Sequence, residues 1–512
     1  MSCVADDIAS KCAAWREMEI DWHPVRSLLG GTRAMRAAST VYLPRETGEE
    51  KRDYQNRLRR SFLYGGFKNA INELGSKPFQ KPVTVADVPE PLDRLAKDVD
   101  RSGTSITKFA FDLLREKMAY GKAHILIDSP NVQGATKLDE KERDLRPYFA
   151  LIPADRVIGW KSEIHDSKRV LTEVRILDSE YSIDGQYAER REDRIKRWWV
   201  TYNGDKFVAA GWEVYAQKDG TWAKTAEGDN PLGKIPLVVD YAEEIDFMTA
   251  RPPLMEIADL NIAHWQSASD HRNILRFVTC PILWRSGVSS EEVKEKIAIG
   301  AGAVFSSTVV GATMNYVEHS GAGVKSAADN LERLESQMRV LALQPLIEAG
   351  GNATATGASI DEARTNSILK RWVRGSELAI EKAFEIAAEW ANVEIPDDWK
   401  GVDIFDEFGL SVRAAEDIRQ LIDLRGKKHI TAKTELAELK RRGLFTDTFD
   451  VDAEISALEE DGPDLTELAD IIVAARAANG SANSQALTKE PDPNPGPNGP
   501  SGPPNGPAQR AA

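Results

Sequence analysis

The strongest constraint in this sequence is a ten-residue break between two helical segments. The segment before the break places four apolar residues on one helical face: Leu331, Leu334, Met338 and Leu341. Residues 348–357 then contain three glycines and no large apolar side chain. From residue 358 a helical pattern continues to residue 393, and a helix of that length spans roughly 50 Å. A short flexible loop between two stiff helices predicts a moving contact, and it does not predict a catalytic pocket.

Composition narrows the class of protein. With 512 residues, 42% of them hydrophobic, the chain has material for two to four domains. A net charge of −15 argues against sequence-reading DNA binding, but it does not exclude a protein past which DNA must slide, since carboxylates repel phosphates. Three scattered cysteines indicate free thiols in a reducing compartment. We expect neither a signal peptide at residues 1–21 nor a membrane-spanning run.

The first half of the chain predicts helices followed by a sheet. Helical patterns cover residues 49–75, 91–101 and 104–120, and the first strand is predicted at 124–127. Residues 147–240 change to short alternating runs separated by turn residues, which is typical of antiparallel hairpins. These alternating runs are Tyr148–Ile152, Val170–Leu177, Lys196–Tyr202, Trp212–Ala216 and Ile235–Val239.

The second half predicts two helices around a small α/β insert. A helix begins at Leu254 after Arg251-Pro-Pro253, and a second helix returns at 325–347. Between them, strands are predicted at 282–284, 303–307 and 314–318, with a helix at 289–299. A strand at 402–408 and helices at 414–424, 431–441 and 450–459 follow. Residues 491–512 hold eight prolines and four glycines, which predicts a disordered tail.

An alternative function, that of an enzyme, depends on one loop. Residues Gly228–Ile235 nearly match a phosphate-binding loop, but that motif needs a hydroxyl where Ile235 stands and a helix after Lys234. Pro231 also removes a backbone donor, so a plain turn is favoured. The alternative function is a nucleotide-dependent or nuclease-type DNA-processing enzyme that uses this loop. A shorter neck component of a capsid is a further alternative, which the chain length disfavours.

Other polar patterns have plain structural interpretations. His264 and His271 lie seven residues apart, which favours a polar helix face over a metal site. The paired carboxylates stand in charged, solvated contexts.

The basic run of Arg52, Arg57, Arg59 and Arg60 is predicted to be a solvated helix face, with contact to a partner's acidic surface as the alternative. Four tryptophans are predicted to be cross-strand core and cover, with base stacking as the alternative: Trp198, Trp199, Trp212 and Trp222.

The order of elements resembles the portal proteins of tailed double-stranded-DNA bacteriophages. Residues Val99–Ile106 (VDRSGTSI) and Tyr120–Asp128 (YGKAHILID) resemble a wing segment of one portal subfamily. Residues Arg251–Asp270 (RPPLMEIADLNIAHWQSASD) resemble its first stem helix, and Ala353–Ala358 (ATATGA) resembles the segment that joins the tunnel loop to the long helix. The resemblance covers roughly residues 15–460, and the stem and tunnel-loop segments are its most specific parts.

The resemblance implies an α+β fold: a portal-like multidomain subunit with helical stem, small α/β clip, mixed α/β wing with an antiparallel sheet, long helix and helical crown. It divides the chain as follows: wing 1–253, first stem helix 254–278, clip 279–324, second stem helix 325–347, tunnel loop 348–357, long wing helix 358–393, wing return strand 394–413, crown 414–477 and tail 478–512.

The resemblance also implies a function without catalysis. Portal subunits form a ring, usually of twelve copies, at one capsid vertex, through which a separate terminase motor packages DNA that is later ejected. The implied partners are double-stranded DNA without sequence specificity, the terminase large subunit, the major capsid protein and neck or adaptor proteins, with no membrane. The implied location is the virion, and the host cytoplasm during assembly. No catalytic residue, metal or cofactor is expected, and the subunit count, the host and the kind of particle stay open.

Two sets of site residues follow from the resemblance. Glycines give the loop backbone its freedom, and neutral Asn and Thr side chains offer phosphates weak hydrogen bonds. The DNA-facing tunnel-loop residues are Glu348, Gly350, Gly351, Asn352, Thr354, Thr356 and Gly357. The clip residues that face the motor or neck are Arg285, Glu291, Glu292 and Lys294. The alternative for the loop is an ordinary flexible connection between helices.

Overall fold

A computed structural model describes most of the chain and divides it into two compact units, residues 1–409 and 410–512. The described residues are 7–130, 145–184, 186–218, 220–278, 282–289, 307, 309–317, 322–342, 355–396, 399–406, 414–441, 445 and 449–460. Helices and antiparallel sheets both contribute, so the predicted α+β class is confirmed.

Helices dominate both units. Unit 1 contains α1 (Ala13–Leu29), α2 (Gly31–Ala38), α3 (Lys51–Arg60), α4 (Gly66–Ser76), α5 (Glu90–Lys97), α6 (Ile106–Tyr120), α7 (Met255–Val278), α8 (Ala322–Leu341) and α9 (Ala355–Ala391). Unit 2 contains α10 (Ala414–Gly426), α11 (Ala432–Arg441) and α12 (Val451–Glu460), which correspond to the three predicted helices. No helix among the described residues is long and apolar enough to cross a membrane.

The strands of unit 1 fall into small antiparallel sheets. They are β1 (Thr84–Val85), β2 (Lys122–Asp128), β3 (Tyr148–Ile152), β4 (Val157–His165), β5 (Lys168–Asp184), β6 (Ala188–Asn203), β7 (Lys206–Lys218), β8 (Thr221–Asp229), β9 (Leu237–Tyr241), β10 (Glu244–Asp246), β11 (Thr249–Ala250), β12 (Ile282–Ser286), β13 (Thr313–Val317) and β14 (Val402–Asp403). The predicted strand at 402–408 is wrong in length, because β14 spans two residues and pairs with β1.

A three-stranded sheet in the order β3-β2-β9 forms the centre of unit 1. Helix α6 packs on it, begins at the N-cap Ser105, whose hydroxyl accepts from the Lys108 amide, and ends at Gly121. Gly121 has φ +86°, and a Cβ there would lie 2.4 Å from the carbonyl oxygen of Arg251. The chain can therefore turn from α6 directly into β2 only because this residue is glycine.

The five-stranded sheet runs in sequence order from β4 to β8. Trp198 pairs with Trp212 across β6 and β7, and Trp198 is fully buried. Trp199, Trp212 and Trp222 are partly exposed, so the prediction of core and cover is confirmed. The sequence patterns predicted neither β4 nor β8. These are the edge strands, and their polar faces weaken the alternation that marks a buried strand.

Candidate functional site

Helices α7 and α8 pack side by side, and the chain between them includes the β12–β13 hairpin. They correspond to the predicted stem helices, although α8 begins at Ala322, three residues early. His264 Nε2 lies 3.2 Å from Glu335 Oε1 and links the two helices. His264 is 5% exposed, so the predicted polar helix face is buried in the contact between the two helices at this residue. Among the described residues no group of three or more side chains could hold a metal ion.

Polar contacts attach α7 to the N-terminal helices. Asn261 is almost fully buried; its Oδ1 accepts from the Phe67 amide at 2.9 Å, and its Nδ2 donates to the Tyr64 carbonyl at 2.8 Å. Two turns further on, the hydroxyls of Ser269 and Ser61 lie 2.9 Å apart. A buried side-chain amide that pairs with one backbone donor and one backbone acceptor allows only one position of its helix along the neighbouring segment. The position of α7 against the start of α4 is thus set by hydrogen bonds as well as by packing.

Arg57 on α3 is the most buried cation of this contact, with 4% of its side chain exposed. Its guanidinium donates to Glu49 at 2.9 Å and to the Pro44 carbonyl at 2.7 Å, and it lies 3.4 Å from Asp270 on α7. The hydrogen bond from Arg57 holds the pKa of the Glu49 carboxyl below its usual value. The prediction of a solvated basic face is therefore wrong at Arg57. The rest of the run is exposed, as predicted: Arg52, Arg59 and Arg60.

Replacing Arg57 with Met is expected to lower the free energy of unfolding by about 2–3 kcal/mol, the range for lost hydrogen bonds to charged groups. The substitution removes the cation and leaves the Glu49 carboxylate, which is only 12% exposed, without this ion pair. Arg59→Met, in the same helix and exposed, is the matched control and should change stability by less than about 0.5 kcal/mol. Urea denaturation of both variants measures the difference. Equal effects would contradict the structural role of Arg57.

The end of α8 is held against α4. Met338 and Ala342 are each 2% exposed, and a Cβ on Gly66 would lie 2.9 Å from the sulfur of Met338. Glycine at position 66 therefore permits the close approach of the two helices. This contact fixes the point from which the chain enters residues 343–354, which lie outside the described residues.

The structure corrects the end of the predicted loop. Helix α9 begins at Ala355, so Thr356 and Gly357 belong to its first turn and not to the loop. The other predicted loop residues lie outside the described residues: Glu348, Gly350, Gly351, Asn352 and Thr354. Their proposed contact with DNA stays a prediction.

The insert between α7 and α8 is described through its two strands. Arg285 lies on β12 opposite Met314 and is partly exposed, while the neighbouring Trp284 is 58% exposed. Sequence reasoning missed Trp284, because a tryptophan in a short strand predicts core. The other predicted clip residues lie outside the described residues: Glu291, Glu292 and Lys294.

Helix α9 is 37 residues long, and its C-terminal half is enclosed by other elements. The apolar residues at helical spacing are buried or partly buried: Ile368, Trp372, Ala379, Ala383, Ile386 and Trp390. A second stripe lies beside them: Leu369, Val373, Ile380, Phe384 and Ala387. The Phe384 ring meets Phe149 on β3 edge-to-face at 5.3 Å and Trp399 at 5.5 Å. A helix buried on more than one face is a core helix, so this half cannot move without disturbing the central sheet.

A buried charged cluster fixes the middle of α9. Lys117 on α6 donates to Asp240 on β9 at 2.7 Å, to the Ser376 hydroxyl at 2.8 Å and to the Trp372 carbonyl at 2.6 Å. Ser376 also donates to Asp240 at 2.6 Å. Burial lowers the pKa of Lys117 and raises the pKa of Asp240, and the attraction between the two charges opposes both shifts. No sequence pattern predicts this cluster, because its members are far apart in the chain.

A second buried carboxyl lies under α1. Glu116 on α6 accepts from the Ala154 amide at 3.1 Å, and burial raises its pKa to about 7, with a further contribution from the nearby Asp155. Helix α1 covers this region, since Trp15 Nε1 donates to the Asp155 carbonyl at 3.0 Å and Trp22 Nε1 donates to the Tyr120 carbonyl at 2.9 Å. Sequence reasoning considered only paired carboxylates and missed this one.

Glu116 makes the stability depend on pH. Because its folded pKa of about 7 lies above the unfolded value, the folded state binds more protons between about pH 4.5 and 7, and stability falls as the pH rises through that window. Glu116→Gln should remove this fall and make the protein more stable than wild type at pH 8, on the order of 1–3 kcal/mol. The exposed Glu17→Gln is the control. An unchanged pH dependence in Glu116→Gln would contradict the assignment.

The Gly228–Ile235 segment contains a turn whose own residues hydrogen-bond to one another, as predicted. Asn230 is buried; its Nδ2 donates to the Lys234 carbonyl and its Oδ1 accepts from the Leu232 amide. Lys234 Nζ is paired with Glu389 on α9 at 2.5 Å, and strand β9 follows where a phosphate-binding loop needs a helix. The segment therefore lacks the geometry on which the enzyme alternative depends.

Comparison with known proteins matches one part of the chain to a family. Residues 253–391 match a family described as a domain of unknown function (DUF4055). The match begins two residues before α7 and ends on the last residue of α9. It thus coincides with the two packed helices, the insert and the long helix, and it covers less than half of the chain. No curated protein sequence matches the chain.

Several solved structures are similar in fold. One is a chain of the virion of the native gene transfer agent (GTA) particle, with 11% identity, a TM-score of 0.42, and coverage of 79% of this chain and 98% of that chain. A chain of the neck of the empty GTA particle, computed with C6 symmetry, has 10% identity and a TM-score of 0.43 with the same coverage. A chain of the neck of the native GTA particle, computed with C12 symmetry, has 11% identity and a TM-score of 0.41, again with that coverage.

Proposed function

We propose that the protein is a portal protein, a subunit of a ring-shaped channel at one capsid vertex. Double-stranded DNA passes through the channel when a separate terminase motor packages it and again when it is ejected. The ring, usually of twelve copies in this class, contacts the terminase large subunit, the major capsid protein and neck or adaptor proteins. The protein acts in the virion and assembles in the host cytoplasm without catalysis of its own.

One observation carries the proposal: two packed helices bracket a small insert and lead, through residues 343–354, into a 37-residue helix fixed in the core. The helices α7 and α8 are attached to the body at Asn261, Arg57 and Met338. The far end of the loop joins α9, which Lys117 and Phe384 hold in the core. Both ends of the loop are therefore attached to rigid structure, as a loop that contacts moving DNA requires.

The net charge supports the same function. Each copy carries −15, so a ring of about twelve has an overall negative charge. Carboxylates around a channel repel phosphates, and a loop with neutral Asn352 and Thr354 offers them only weak hydrogen bonds. DNA held in this way exchanges contacts easily and can slide.

Negative-stain electron microscopy of the purified full-length chain, with the mass measured by light scattering, tests the proposal. The expected result is a ring of about twelve copies with a hole wide enough for a B-form duplex. A compact dimer without a hole, under conditions that include high protein concentration and several salt concentrations, would overturn it.

The loop assignment has its own test in the assembled ring. Replacing Asn352 and Thr354 with Lys adds about 24 cations to the bore of a ring of about twelve copies, and each cation releases counterions on contact with a phosphate. The variant ring should retain duplex DNA at a salt concentration at which the wild-type ring releases it. The matched control places the same charges on the exposed β7–β8 turn, as Gln217→Lys with Thr221→Lys. Equal retention by the two variants would contradict a DNA-facing loop.

A further inference from the structure

A cationic surface stands out on this acidic chain. Arg59 and Arg60 are exposed at the end of α3, Phe62 follows them in the chain and is 55% exposed, and Arg272 on α7 is exposed as well. The guanidinium of Arg272 lies 5.5 Å from the centre of the Phe62 ring, and its Nη1 donates to the Arg60 carbonyl at 3.2 Å. We call Arg59, Arg60, Phe62 and Arg272 the basic patch. Exposed aromatic and arginine side chains together are typical of the centre of a protein interface.

The basic patch is held on rigid structure. Arg57, between the two elements, bonds to Glu49 and to Asp270 on α7. The hydroxyls of Ser61 and Ser269 connect the same elements beside the patch. Side chains presented on fixed backbones lose less conformational entropy on binding, so the patch is organised before a partner arrives.

A surface of opposite charge lies at the end of α9. It is a cavity of about 590 Å³ lined by three carboxylates and four apolar residues. Its lining residues, which we call the acidic groove, are Glu385, Ala388, Glu389, Val393, Glu394, Ile395 and Pro396. Glu389 is already paired with Lys234, whereas Glu385 and Glu394 also line the cavity.

The two surfaces complement each other in charge. The basic patch carries three arginines and an exposed phenylalanine, and the acidic groove carries three glutamates, one of them paired with Lys234, together with four apolar residues. Because Phe62 is exposed and the groove is open in the folded chain, neither surface covers the other within one copy. A contact between different surfaces of identical chains is heterologous, and such contacts close into a ring when the rotation between copies allows it.

We propose that the basic patch of one copy docks into the acidic groove of the next copy, with Phe62 in the groove between Glu385 and Glu394. The proposal deepens the proposed function, on which it rests for the expectation of a ring. A nucleic acid is the competing occupant of an arginine-rich surface. It is disfavoured because the patch is a compact cluster that includes an apolar ring, whereas phosphate-tracking surfaces extend as a stripe along the backbone.

Charge reversal on each side tests the contact. The first variant carries Arg59→Glu with Arg60→Glu, and the second carries Glu385→Arg with Glu394→Arg. Each variant alone places like charges across the contact, so its apparent dissociation constant for self-association should rise about tenfold or more. A third protein with Lys206→Glu and Lys218→Glu has the same charge change on exposed sheet residues and should assemble as wild type does.

Mixing the two variants gives the decisive result. Every contact between them again joins opposite charges, so the mixture should assemble with 1:1 composition in sedimentation velocity, although neither variant assembles alone. Recovery in the mixture also proves that both variants are folded. If both variants assemble normally, or if two folded variants fail to assemble when mixed, the proposed contact is overturned while the ring can stand.

Two further outcomes distinguish the proposed contact from the proposed function and from DNA binding by the basic patch. If the wild-type chain forms no ring, the proposed function fails, and a 1:1 complex of the two variants at high concentration would still support the contact. If the patch variant assembles normally but loses binding to a 30-base-pair duplex, the patch binds DNA and the proposal is overturned.

Discussion

Replacing Lys117 with Met is expected to lower the free energy of unfolding by about 3–5 kcal/mol, the range for removing one partner of a buried ion pair. The variant leaves the Asp240 carboxylate buried without its cation, and Ser376 supplies only a neutral hydrogen bond. Burial already raises the pKa of Asp240, and without Lys117 nothing in this pair opposes that shift. The loss should therefore be largest above neutral pH. Urea denaturation at pH 5 and at pH 8 measures it.

The double variant Lys117→Met with Asp240→Leu separates charge from packing. It removes both charges and leaves an apolar contact, so it should recover most of the lost stability. A double variant as unstable as Lys117→Met alone would show that the cluster stabilises α9 through shape and not through its charges. A measurable loss of less than about 1 kcal/mol in Lys117→Met would contradict the buried geometry itself.

Replacing Phe384 with Ala is expected to lower the free energy of unfolding by about 3–5 kcal/mol. The ring is fully buried between Phe149 and Trp399, so its removal leaves a cavity and two unpartnered aromatic edges. The matched control is Leu378→Ala in the same helix, since Leu378 is 53% exposed and should change stability by less than about 0.5 kcal/mol. Similar effects of the two substitutions in thermal denaturation would contradict a core position for Phe384.

These two predictions concern the same half of α9, and they bear on the proposed channel. Lys117 and Phe384 fix the helix to the central sheet at two points about three turns apart along α9, at Trp372 and at Phe384 itself. The N-terminal end of α9 continues directly from residues 343–354.

Most helices were predicted to within a few residues because their signals are local, whereas α1 and α2 were not predicted. The 3–4 spacing in α8 and the Gly121 stop after α6 are decided by neighbours along the chain. The strands were harder. Edge strands β4 and β8 went unpredicted, since half of each strand faces solvent and its apolar alternation is weak.

The candidate site was predictable as an order of elements and not as a set of contacts. The sequence predicted the helix, insert, helix, loop and long helix between residues 254 and 393. It did not predict that α9 begins at Ala355, because three residues of Ala, Thr and Gly give no local helix signal. It also treated Arg57 as solvated, although the structure buries it against Glu49 and Asp270.

The sequence by itself determined the properties that depend on composition or on residues less than about ten positions apart. These include the α+β class, the net charge of −15, the turn at Gly228–Ile235 and the apolar faces of the helices. The tertiary structure decided the pairing of Lys117 with Asp240, the burial of Arg57 and Glu116, and the exposure of Phe62. The physical reason is that burial and ion pairing depend on which distant segments pack together, and an isolated segment holds no record of its partner.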